Sequence, residues 1–219
     1  MRVAVIGAGG GAQVRVAGGG GGGCAASKII GATSIEYFIG SGRSYASGED
    51  TLATFSGYRL IGQGGDLIKG GIGQGGDFNY KGGDAGGSRS SGFFGGGAAG
   101  PMGNGDGADN LPRNMGKGWG SEGGGRGVTR QTGYTEESKA AGGGGTGAST
   151  YPIPGVMSSV AFPPLPPSNI WGRSPKFQKP NGGEMGGGAS AISNMSPYDY
   201  RDKPFSGGDG GMVVEWFYK

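Results

Sequence analysis

The sequence contains no histidine, a single cysteine (Cys24) and few large aliphatic side chains. Without histidine there is no Ser-His-Asp or Cys-His nucleophile system, and nearly all zinc sites are excluded. One cysteine cannot build an internal disulfide framework, which points to folding in a reducing compartment. Leu, Ile, Val and Phe together number 34 of 219 residues. Chains that poor in large apolar side chains seldom assemble an ordinary core, so a two-layer α/β enzyme or a helical bundle is excluded. No apolar stretch approaches the ~20 residues that span a bilayer, so no membrane span is expected. The opening MRVAVIGAGG has a short apolar run that Gly7 interrupts, and no secretory leader is expected. The formal net charge is only +3, too small to argue for a nucleic-acid partner.

What is abundant is glycine: 59 residues, with 12 prolines beside them. Disorder is the default for such a composition. The low net charge, the 10% aromatic content and the strand-like ends argue against it. Glycine loses more entropy on folding than alanine, roughly 0.5–1 kcal/mol per residue, so order must come from something other than side-chain burial. The extended helix with three residues per turn has no internal hydrogen bonds. Its N–H and C=O groups point outward and must be satisfied by neighbours. Glycine lets such helices approach on several sides. The fold expected is therefore mostly irregular and β: a small β base from the terminal strands, plus packed polyglycine II helices with exposed loops.

Arg2–Ile6, Gln13–Ala17, Ser34–Ile39 and Met212–Tyr218 are expected strands, from their β-branched and aromatic content and partial alternation. Residues 1–42 with 212–219 then form the base, and 43–211 a glycine-rich body. Glycine blocks alternate with segments of other character, at 108–122, 128–141, 149–181 and 189–206. These are expected loops at the rod ends, where recognition usually sits on a rigid scaffold.

The motifs weigh as follows. Gly7-Ala-Gly9-Gly-Gly-Ala12 follows a strand and resembles a dinucleotide fingerprint, but that fingerprint needs a helix immediately after it and an acid about twenty residues on. Neither is present. Asp66, Asp77, Asp84 and Asp209 each follow Gly-Gly, without the nonapeptide period of a calcium roll. The preferred reading is aspartate accepting backbone N–H groups at rod ends. Phe162-Pro-Pro-Leu-Pro-Pro167 contains PxxP frames that suit either an SH3 ligand or a stiff loop. The lone Arg126-Gly127, with no Arg-Gly-Gly, is a weak RNA-binding signal. No catalytic residues, metal ligands or cofactor site can be named, and an enzyme is not expected. The remaining signal is aromatic: Trp119, Tyr134, Tyr151, Trp171, Tyr198 and Tyr200, beside Arg113, Arg173 and Arg201. Rings with a polar handle beside arginine suit sugars or a protein surface. The competing reading is that individual rings cap rod ends or pack on the base.

Three stretches carry a resemblance: GGDFNYKGG, AGG and FFGGGAAGPMGNG within residues 75–105, the GGGGG-C-A run at Gly19–Ala25, and the closing GGDGGMVVEWFY. Together they resemble the glycine-rich tip domains of bacteriophage tail fibres and adhesins, and are similar to the long-tail-fibre adhesins of large myophages. The resemblance implies a polyglycine-helix sandwich at the distal end of a tail fibre, located in the virion. Its partners would be a bacterial surface receptor (polysaccharide, pilus or outer-membrane protein) and other tail fibre proteins, in a homotrimer by fibre symmetry. Those adhesins carry a larger N-terminal attachment domain that is not expected here, so self-association through the terminal strands is an alternative expected mode of attachment. Two other functions compete with host attachment: a structural or ice-interacting glycine-rich protein, and a disordered RNA-associated segment.

Overall fold

The computed structural model describes residues 1–12, 18–88, 92–101, 103–108, 185–188 and 206–216. Among these there is no helix, and hence none long and apolar enough to cross a membrane. Ten short strands form two four-stranded antiparallel sheets and one two-stranded ribbon.

The first sheet joins the two ends of the chain. Arg2–Ile6 (β1) carries two valines and an isoleucine, which favour a pleated backbone. It lies between Cys24–Ala26 (β2) and Gly211–Glu215 (β10), and Phe78–Tyr80 (β7) adds to β2, giving the order β10-β1-β2-β7. The pairing of Val3 with Val214 and of Ile6 with Gly211 closes the molecule. The expected terminal strands are therefore present and adjacent, over 2–6 and 211–215. The expected strand Gln13–Ala17 lies outside the described residues.

In the second sheet the order is Glu36–Phe38 (β3), Thr51–Phe55 (β4), Tyr58–Gly62 (β5) and Gly73–Gln74 (β6). The β3 strand falls inside the expected 34–39. The β4–β5 hairpin was not expected. Its turn is Ser56-Gly57, both at positive φ (42° and 81°), which is the geometry that matches the twist of two-residue hairpins. Phe55 and Tyr58 stack across the turn, with centroids 5.4 Å apart. Gly86–Ser88 (β8) and Gly92–Phe94 (β9) make the ribbon.

Side chains alternate across β1 and divide the small core in two. Val3 and Val5 face the second sheet, with Ala25, Ala53, Phe55 and Leu60. Ala4 and Ile6 face the other way, with Cys24, Ala26, Ala98 and Ala99. Burial pushes the Cys24 thiol far up, so it stays protonated and serves as a small apolar group. Among the described residues the buried polar side chains are Ser27 and Thr51, and each accepts a backbone N–H: Ser27 Oγ from Val3 (3.1 Å) and Thr51 Oγ1 from Gly40 (3.1 Å).

Beyond the sheets the chain continues as glycine threads, and their hydrogen bonds follow another rhythm. The thread 19–23 is buried. The N–H groups of Gly20, Gly21, Gly22 and Gly23 donate to the carbonyls of Asp66, Gly83, Gly186 and Gln63 (2.7–3.0 Å). The fourth donor thus returns to the neighbour of the first. The carbonyls do the same. Gly19 and Gly22 accept from Gly96 and Ala99, Gly20 and Gly23 accept from Gly10 and Gly7, and Gly21 accepts from Gly71. Six other segments therefore surround this one thread, three as acceptors and three as donors. The thread 7–11 also repeats every third residue: Gly7 and Gly10 donate to one neighbour, Ala8 and Gly11 to another (Glu49 and Ala46), and Gly9 to Gly208.

Glycine is required here for space. A Cβ on Gly22 would stand 1.8 Å from the Gly7 carbonyl oxygen, and one on Gly21 2.0 Å from that of Gly97. Both obstacles are backbone and cannot rotate away. Gly31, by contrast, has nothing within 4 Å of the same position. Gly22→Ala should therefore cost about 3 kcal/mol or more, as overpacking against a rigid wall. Gly31→Ala should stay within about 0.5 kcal/mol of the parent. Urea unfolding of the two variants measures the contrast.

Candidate functional site

The hydrogen-bond register gives the array of threads two ends. Gly7 and Gly23 pair beside β1 and β2; Gly10 and Gly20 pair three residues further out. The end opposite the sheets therefore holds residues 11–12 and 18–20. It also holds Ala46, which accepts from Gly11, and Asp66, which accepts from Gly20. Arg43 belongs there too: its carbonyl accepts from Gly207 and lies 2.3 Å from where a Gly11 Cβ would be.

Short non-glycine turns meet at this far end and bind one another. Ser44 Oγ and Ser206 Oγ are 2.6 Å apart. Ser47 Oγ donates to Asp66 Oδ1 at 2.7 Å. The Ala85 N–H donates to the Ile68 carbonyl, and the Ala108 N–H to the Asp84 carbonyl. A chain of contacts thus crosses the end from Ser206 to Ala108. Tyr45 is held at φ 56°, rare for a bulky residue, and is 43% exposed. Ile68, 56% exposed, tips the neighbouring turn.

Several of the points where the chain leaves the described part lie at this same end. Ala12 and Gly18 flank 13–17. Ala108 precedes 109–184. Gly188, whose N–H donates to Gly96, and Ser206 flank 189–205. Other exits lie nearer the sheets: Met185, which follows 109–184, packs with Ile6 and Cys24, Pro101 and Gly103 flank residue 102 just past Ala98 and Ala99 of the same cluster, and Trp216, which precedes 217–219, follows the β10 residue that pairs with Arg2. All nine sequence-predicted site residues fall in the segments 109–184 and 189–205: Arg113, Trp119, Tyr134, Tyr151, Trp171, Arg173, Tyr198, Tyr200 and Arg201. They lie outside the described residues, as do the loops 128–141 and 149–181 and nearly all of 108–122 and 189–206. Tyr45 and Ile68 are exposed apolar residues that sequence reasoning missed. Both sit in short inserts between glycines, SGRSYASG and GGDLIKGG, the same alternation on a smaller scale.

The four aspartates that follow Gly-Gly all accept backbone N–H groups. Asp66 takes Leu67 (2.7 Å), Asp77 takes Lys28 (2.9 Å), Asp84 takes Gly70 (2.8 Å) and Asp209 takes Gly42 (2.7 Å). They satisfy donors where the glycine registry ends. The Ser47 hydroxyl, then the Leu67 N–H, hold the Asp66 carboxyl below its ordinary range. Partial burial acts to raise that of Asp84, but the Lys81 ammonium and the Gly70 N–H outweigh it and the net direction is down. Lys28 and the Tyr58 hydroxyl lower Asp77, and the same contact raises Tyr58. Glu49, bonded by the Ser41 N–H and paired with Arg43, is lowered as well.

Neither known family models, nor curated proteins, nor solved structures contain a match to this chain.

Carboxylates with lowered folded pKa values stabilise the fold above their unfolded value of about 3.9. That contribution is lost as the pH falls through the folded value. The melting temperature should therefore drop as the pH falls from about 5 to about 2. Asp66→Asn combined with Asp84→Asn keeps an acceptor oxygen at both places and should flatten the dependence. Thermal melts across that range are the check.

Proposed function

We propose that this chain is the receptor-binding adhesin at the distal tip of a bacteriophage tail fibre, and that its glycine threads are polyglycine II helices packed side by side. The observation that carries the reading is the three-residue rotation of hydrogen bonds about thread 19–23, with six neighbours around it. An extended backbone with three residues per turn aims successive N–H groups about 120° apart, which is what that rotation requires. The gathering of turns and several chain exits at the end away from β1 and β10 supports the adhesin part of the reading. Such an end offers loops for recognition and leaves the sheet end for attachment.

On this reading the scaffold is rigid and the loops 108–122, 128–141, 149–181 and 189–206 make the contacts. Trp119, Tyr134, Tyr151, Trp171, Tyr198 and Tyr200 supply stacking area at little entropy cost, and Arg113, Arg173 and Arg201 supply charged donors. Those groups suit a surface polysaccharide, a pilus or an outer-membrane protein of a bacterium. The protein binds and does no covalent chemistry; its other partners are the tail fibre proteins that carry it, in the virion.

Amide exchange tests the scaffold: the amides of Gly20–Gly23 should be among the slowest in the molecule, and fast exchange there refutes a packed lattice. Adsorption tests the function. Fluorescently labelled protein should bind cells of particular strains in a bacterial panel and protect them from the parent phage. Trp171→Ala combined with Tyr198→Ala should reduce binding at least about tenfold with an unchanged melt, since buried aromatic anchors dominate such contacts. A correctly folded protein that adsorbs to no strain and protects none overturns the reading.

A further inference from the structure

The strand β10 is the outer edge of the first sheet, and its backbone shows which groups are unused. The Val3 N–H donates to Ser27 Oγ, and the Ser27 N–H donates to the Val3 carbonyl. Val3 therefore points its polar backbone groups toward β2. By alternation, Arg2, Ala4 and Ile6 point theirs at Glu215, Val213 and Gly211. The N–H and C=O groups of Met212, Val214 and Trp216 then face away from the sheet, with no partner among the described residues.

The side chains of this edge are as unfinished as its backbone. Met212 and Val214 pack against the core between the two sheets, and Trp216 follows on the same face by alternation. Trp216 is nevertheless 55% exposed. Across the sandwich, β3 is the outer strand of the second sheet. Its Tyr37 pairs with buried Ala53, so it shares the inner face, and it is 62% exposed. The sandwich thus stops short on one side, with two aromatic rings on its lip. Soluble proteins usually protect such an edge with lysine, proline or a bulge. Residues 211–216 hold neither lysine nor proline. Their only charge, Glu215, is tied back to Arg2 at 2.5 Å.

We propose that this edge is a self-association site, in which β10 of a second copy of the chain adds antiparallel to β10 about a two-fold axis. The register follows from the unused groups. Val214 opposes Val214 of the second copy, and Met212 opposes Trp216 of the second copy, each pair exchanging both main-chain bonds. On the inner face this lays a ladder of Met, Val and Trp side chains across the junction. On the outer face Val213 stands opposite Glu215 of the second copy, so no like charges are directly opposed. Only a two-fold axis brings a residue against itself, so the pairing is isologous and closes at two copies. It therefore differs from the three-fold assembly that fibre symmetry implies. The proposal is independent of the adhesin reading: adsorption can fail while the pair holds, and the reverse.

Sedimentation velocity on the full chain at tens of micromolar tests it. Two-copy species should dominate, and Val214→Pro should abolish them. Proline there removes an outward N–H while the bonds between β10 and β1 stay intact. Trp216→Lys, at an exposed position, should do the same with an unchanged melt, and it decides the matter if the proline variant fails to fold. A monomeric or trimeric parent overturns the proposal, as does a dimer that Trp216→Lys leaves intact.

Discussion

Everything in this fold depends on how closely two backbones can approach. In a side-chain core, the main chains of packed layers stand about 10 Å apart and the space between is filled with hydrocarbon. Around thread 19–23 that space is absent. A Cβ on Gly9, Gly21, Gly22 or Gly65 would stand 1.8–2.0 Å from a neighbouring carbonyl oxygen. Glycine is entropically costly to order, and the compensation is that a bare backbone can donate on three sides and accept on three others, where a strand is bonded on two. In thread 19–23 the N–H groups of Gly20–Gly23 and the carbonyls of Gly19–Gly23 are all bonded main chain to main chain. The few side chains that do enter the interior are small: Ala98 and Ala99, set against Ile6, Cys24 and Ala26.

The sheets and the threads are one continuous structure. The antiparallel pairing of β1 with β2 ends at Ile6 and Cys24, and the next bond out, from Gly7 to Gly23, belongs to the threads. The pairing of β5 with β6 ends at Gly62 and Gly73 and passes into a bond from Gln63 to Ile72. On the other flank, β1 with β10 passes into the bond from Gly9 to Gly208. At each junction the alternation changes from two neighbours to three, because the pleat gives way once side chains no longer need two faces. The conventional core between Val3, Val5, Leu60 and Phe55 thereby fixes strand register, and strand register fixes which threads meet. This resolves a difficulty of glycine-only packing. Bare backbones have no side-chain pattern to distinguish one alignment from another, and a slip by three residues would leave the bonds of a thread equally well made.

What could be read in the residues follows the same division. The strands β1 and β10 were legible because valine, isoleucine and tryptophan stand out against glycine. The aspartates after Gly-Gly were legible because a short carboxylate is the cheapest partner for an N–H stranded where a registry ends. The strand β2 was not, since Cys24–Ala26 has only small side chains, and its slimness answers a tertiary demand: Ala98 and Ala99 lie against it. The β4–β5 hairpin carried a signal, an alternating T-L-A-T-F before Ser56-Gly57, but it sits among glycines and merged with the surrounding composition. At the candidate site, the long aromatic segments were legible as breaks in the glycine pattern, whereas Tyr45 and Ile68 sit in breaks too short to notice. The meeting of the short turns around Tyr45 and Ile68 at one end of the described structure could not be read at all, because it depends on the antiparallel pairing of threads far apart in sequence.

That meeting is also where the proposed function gains its physical sense. Bonds between threads run from main chain to main chain, so they do not consult the side chains of the loops. A surface-binding protein under pressure to change its target needs variable loops whose replacement leaves the frame intact. It also needs those loops held in place before contact, because a binding-competent state that is only partly populated weakens affinity in proportion. A frame stabilised by hydrocarbon packing meets the second need but couples its loops to the core through shared side chains. Here Ser44 with Ser206 and Ser47 with Asp66 tie neighbouring turns through polar contacts at the rim, and the carboxylates of Asp50 and Asp84 bind the turns to the N–H groups of Gly64 and Gly70 in the threads beneath. On the proposed reading, the described turns then supply fixed points from which loops of any sequence can be carried, which is the combination that an adhesin requires.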